Sequence, residues 1–128
     1  MSGQSISQEL KKFIKEQIHS VFSLEVLLLL HRAQSRSFTD SEVADELGLE
    51  IDIAQKQLSE LASARLLAPI DIARSKYIYQ PVEDLGFLVD QLAAAYSRQR
   101  VPILSLILAE HPDKIRGFAE AFRLIGNE

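Results

Sequence analysis

Residues 38–67 read FTDSEVADELGLEIDIAQKQLSELASARLL, and this stretch decides the fold. Thr39 followed three residues later by Glu42 is a capping-box pair, in which each side chain satisfies a backbone N–H of the other. A helix therefore begins there, with Val43, Ala44 and Leu47 on its inner face. Gly48 ends it, because glycine takes the left-handed conformation of a helix stop without a Cβ clash. After a short turn through Leu49, a second helix over about Ile51–Ala64 carries Ala54, Leu58 and Leu61 at i, i+4 and i+7, one stripe of an α-helix. Two helices joined by a tight glycine turn make a helix-turn-helix.

Working outward, the N-terminal side supplies two more helices. Residues 1–6 are small and polar and read as a frayed end. Ser7 caps a first helix through about Ile18, with Leu10, Phe13, Ile14 and Ile18 on one side and Lys11, Lys12 and Lys15 on a solvated face. Ser23 is the expected cap of the next, LEVLLLLHRAQ, which is apolar nearly all round and so belongs in the centre of the molecule. His31 and Arg32 at its end complement the helix dipole.

On the C-terminal side, Leu67, Ile70 and Ile72, then Tyr77, Ile78 and Tyr79, flank the polar turn Ala73-Arg74-Ser75-Lys76. That is a hairpin pattern, with Pro69 at an edge and Pro81 closing the second strand. Residues 82–128 return to helix. Leu85, Leu88, Val89, Leu92 and Tyr96 form one stripe, with Gly86 a weak point near its start. Arg98-Gln99-Arg100 ends that helix. Pro102 suits the first turn of the next, VPILSLILAE, whose run Ile103–Leu108 needs an apolar partner surface. His111-Pro112-Asp113 reads as a turn. Ile115, Phe118, Ala119, Phe122 and Ile125 read as a last amphipathic stripe.

The order of central helix, helix-turn-helix and hairpin, with the run Ala44-x-x-Leu47-Gly48-Leu49, then Ala54, Leu58, Leu61 and Leu66-Leu67, resembles the winged helix-turn-helix domain of bacterial regulators of the MarR and ArsR type. The resemblance covers about residues 23–80. Arg65 departs from it, standing where those families usually carry glycine at the step into the wing. It implies a mainly α fold with a small β-hairpin: an N-terminal helix at 1–22, a winged core at 23–81 and packing or dimerisation helices at 82–128, in one compact unit. It also implies a DNA-binding transcriptional regulator, dimeric through Ile103–Leu108 and the C-terminal helices.

Charge points elsewhere. The 128-residue chain carries a net charge of -4. From Thr39 to Ala64, seven acids (Asp40, Glu42, Asp45, Glu46, Glu50, Asp52, Glu60) face one base, Lys56, a balance of -6. Protein–DNA affinity draws much of its free energy from neutralising phosphates, so each acid facing the duplex opposes it. The first turn of the second helix, where the resembled families supply hydrogen-bond donors, reads Glu50-Ile51-Asp52-Ile53. Gln55, Lys56, Gln57 and Ser59 follow and are chemically suited to base edges or phosphates. Arg74 and Lys76 stand in the hairpin. Lys11, Lys12, Lys15, Arg32 and Arg36 add backbone contacts only if the fold gathers them on one side. If Ile51 and Ile53 are both exposed among acids, the same surface suits a protein partner. The candidate site is thus Ile51, Ile53, Gln55, Lys56, Gln57, Ser59, Arg74 and Lys76, for DNA or for a protein.

Other chemistries find little footing. The chain has no cysteine, three scattered histidines without metal-ligand spacing and five single glycines. It shows no phosphate-binding loop or nucleophile elbow. The expectation is no catalytic residues, metal or cofactor. With no signal-like N-terminus or apolar run long enough to span a bilayer, the chain reads as soluble and cytoplasmic, making no membrane contact.

Overall fold

The computed structural model describes residues 6–109. Among them are six α-helices and a small three-stranded antiparallel sheet. The helices are α1 (Gln8–Gln17), α2 (Val21–Arg32), α3 (Asp40–Leu47), α4 (Ile51–Ser63), α5 (Leu85–Arg98) and α6 (Arg100–Ala109). The strands are β1 (Ser37–Thr39), β2 (Leu67–Asp71) and β3 (Lys76–Tyr79). Residues 1–5 of the expected frayed end, the His111 turn and the Ile115–Ile125 stripe lie outside the described residues, whereas Ile6, read as part of that frayed end, packs partly buried against the core.

The local signals act where the sequence put them. Ser7 caps α1 by accepting from Leu10 N–H. Thr39 Oγ1 accepts from Glu42 N–H, and Glu42 Oε1 accepts from Thr39 N–H, closing the capping box. Gly48 ends α3 at φ +69°. Arg65 also adopts a left-handed conformation, at φ +67°. The backbone there makes a turn that favours glycine, here with a Cβ and the strain that brings. In α5, the missing side chain of Gly86 makes room for Pro81, whose Cγ would lie 3.1 Å from a Cβ there.

Three details differ from expectation. The cap of α2 is Ser20, accepting from Ser23 N–H, so α2 starts earlier and Ser23 is buried inside it. The sheet has a strand that the hairpin pattern did not include: β1 pairs with β3 through Ser37↔Ile78, Phe38↔Tyr77 and Thr39↔Lys76. The strand order is β1-β3-β2, which leaves β2 with Pro69 at an edge. Finally, Ile72 is not a strand residue. The β2–β3 register shifts between Pro69 and Asp71, and Ile72–Arg74 form a 3-10 turn closed by Ser75 at φ +51°.

One apolar cluster joins all of this. From Leu24 to Leu30 every α2 residue except Glu25 is buried, and α2 packs on α3, α4 and β3. Phe38, Val43, Ala54, Leu58 and Leu61 close over it with essentially no exposure. On the other side α1 packs on α5 and α6 through Leu10, Phe13 and Ile14. No helix among the described residues is long and apolar enough to cross a membrane.

Candidate functional site

The site is built on α4 and on what Gln55 holds beside it. Gln55 Nε2 donates to Asp40 Oδ2 at 3.0 Å and to Ser75 Oγ at 3.1 Å. Asp40 N–H in turn donates to the carbonyl of Ser75. Three segments therefore meet at one side chain: the start of α3, the second turn of α4 and the 3-10 turn between β2 and β3. Ile51 lies one helical turn before Gln55, hence on the same face of α4. Ile72 opens the turn that Ser75 closes.

The eight candidate residues part company here. Ile51 is 48% exposed and Ile53 is half-buried. Lys56 and Ser59 are exposed on α4, Arg74 is exposed on the turn, and Lys76 is half-buried at the start of β3. Gln57 is not on this surface. It is 5% exposed, and its Oε1 has no hydrogen-bond partner among the described residues. The helical spacing explains this, since Gln57 lies at i+3 from buried Ala54. Gln55 is on the surface, but its amide is committed to Asp40 and Ser75. Arg74 lies 3.8 Å from Asp71, a loose exposed pair.

The electrostatics are set by carboxylates. Glu50 caps α4 without a side-chain hydrogen bond, and Asp52 sits in the first turn. These acids stand where a helix N-terminus otherwise attracts phosphate. Glu42, Asp45, Glu46, Glu50 and Asp52 are exposed. The basic residues that were candidates for backbone contacts are dispersed. Lys11, Lys12 and Lys15, with Gln8, Glu16 and Leu106, line a cavity of about 450 Å3 between α1 and α6. The Arg36 guanidinium stacks on the Phe38 ring, 4.2 Å from its centre. Among the described residues no three histidine, aspartate or glutamate side chains gather as a metal site.

A second polar cluster ties the two halves of the molecule together. His31 Nε2 on α2 lies 2.9 Å from Asp90 Oδ1 on α5, and the Tyr79 ring of β3 meets the imidazole edge-on with centres 5.3 Å apart. Its place in the sequence predicts for His31 only the role of complementing its helix end. Burial, and secondarily the Asp90 charge, push the Tyr79 hydroxyl up to about 12 from 10.0. The unfolded chain then loses this proton first as pH rises, so Tyr79 makes stability fall between about pH 10 and pH 12, by about 3 kcal/mol in all. The hydroxyl has no hydrogen-bond partner among the described residues. Tyr79→Phe should therefore leave the urea midpoint at pH 8 unchanged or slightly raised, and should flatten its fall at high pH. Parallel falls in both proteins would refute the assignment.

No protein-family model, curated protein or solved structure matches the chain.

Proposed function

We propose that the chain is a winged-helix regulatory module whose recognition surface takes a protein rather than duplex DNA. The succession α2, β1, α3, α4, β2, β3, with β3 between β1 and β2, supports the winged-helix reading, with the Ile72–Ser75 turn as the wing. The observation that carries the functional half is the fate of the groove-reading groups. Gln57 faces the core, Gln55 is bonded within the chain, and the first turn of α4 offers Glu50, Ile51 and Asp52. A duplex would meet carboxylates where it needs donors. A protein would meet an exposed isoleucine in a polar rim, the usual composition of an interface centre and its border.

The test is Ile51→Ser in a bait of the full chain, in lysate of the source cells. Position 51 opens α4, so the change leaves the core intact. The parent bait should retain a partner that the variant loses, with equal melting temperatures. Equal retention of that partner by both baits overturns the assignment of the surface. DNA binding keeps one specific support, the exposed Lys56 and Ser59 on α4 with Arg74 on the wing.

The reading includes self-association through α6. Ile103 and Ile107 are covered by the chain's own core, whereas Val101 is 70% exposed and Leu104 and Leu108 are half-buried. That outer face is the proposed contact with a second copy. Light scattering at micromolar concentration should give twice the 14.4 kDa chain mass. A mass near one chain refutes it.

A further inference from the structure

We infer that the face made by the first two turns of α4, the start of α3 and the Ile72–Ser75 turn binds a basic amphipathic segment of a partner protein, one that sets an apolar side chain on Ile51 and lysines or arginines around it. This rests on the protein-binding reading above and adds the partner's chemistry.

Two observations carry it. The apolar side chains are open, with Ile51 48% and Ile72 75% exposed. The acids that flank Ile51 in the chain are also unspent. Glu50 and Asp52 are exposed and have no ion-pair partner among the described residues, while Arg74 on the turn lies 3.8 Å from Asp71. Like charge on a partner would be repelled across this rim, and a neutral partner would desolvate the carboxylates without return, whereas cations repay that loss. The face is also fixed in advance. Gln55 and Asp40 clamp the turn against the helices, so little ordering is required on binding.

The experiment is a two-dimensional amide NMR titration of the full chain at low salt with three probes. One is a 14-residue helical peptide of leucine and lysine in amphipathic spacing. The second has glutamate for every lysine, and the third is a 20-base-pair duplex. The lysine peptide should shift amides at 50–55 and 72–75. Its affinity should fall about tenfold with Ile51→Ser. Glu50→Gln with Asp52→Gln should weaken it several-fold, and high salt should do the same to the parent. Phe87→Ser, which removes a still more exposed apolar side chain on α5, should leave the affinity within about twofold. Equal binding of the glutamate peptide, shifts centred on α5 and α6, or no shifts with the lysine peptide would each overturn the inference, and an inert duplex would still leave the protein reading standing. Duplex-induced shifts at 50–55 would overturn that reading itself.

Discussion

A chain carrying Glu50→Lys and Asp52→Lys is expected to bind duplex DNA where its parent does not. The double change takes the balance over 39–64 from -6 to -2, and it acts at the end of α4 where phosphate would approach. At about 50 mM salt the gain should be on the order of a hundredfold in affinity, and it should fade steeply as salt rises, because it comes from counterion release. Folding should change by only a few tenths of a kcal/mol, since two lysines at a helix N-terminus oppose the dipole weakly on an exposed surface. Fluorescence anisotropy with a labelled duplex reads the effect. A variant as inert as the parent would mean that shape, and not charge, bars the duplex.

The largest expected loss of stability lies on the other side of the same helix. Leu58 is fully buried on the inner face of α4, which packs on α2. Leu58→Ala removes methyl groups from the shared core and leaves a cavity, at a cost of about 3 kcal/mol. Ser59→Ala, one residue on and exposed, should stay within about 0.5 kcal/mol. Urea denaturation compares them, and similar midpoints would contradict the placement of the α4 stripe. A domain of this size holds roughly 5–15 kcal/mol in total, so the Leu58 loss is a substantial share of it.

The contrast between neighbouring residues shows which parts of the molecule were legible in its sequence. Capping boxes, glycine stops and apolar stripes are local, and Thr39, Glu42, Gly48, Ala54, Leu58 and Leu61 all stand where spacing placed them. The strand β1 escaped because three residues are too few to show alternation, and Phe38 alone carries its inward side. Ser20 and Ser23 both precede apolar residues and are equally able to cap a helix, and only the backbone shows that Ser20 does so. Ile72 looked like strand because isoleucine favours strands, but the register shift near Pro69 placed it in the turn.

At the site the division is sharper. The acidic balance follows from the sequence, whereas the sequence leaves open whether Ile51 and Ile53 are exposed, and the packing of α4 leaves only Ile51 exposed. Burial of Gln57 was legible too, since i+3 from Ala54 points inward, but its polar chemistry suggested a reader of the groove. The Gln55 clamp was not legible. Asp40, Gln55 and Ser75 are 15 and 20 residues apart, and only the packed turn brings them together. The same holds for His31 and Asp90, 59 residues apart.

On the proposed reading, the first turn of α4 presents a surface that phosphate avoids. Retention of sheared genomic DNA from the source organism by the immobilised parent chain at about 20 mM salt tests it most directly, because low salt strengthens every phosphate contact. No fragment should be held above the background of an uncoupled resin. Fragments held by the parent and released by Lys56→Ala with Arg74→Ala would contradict it.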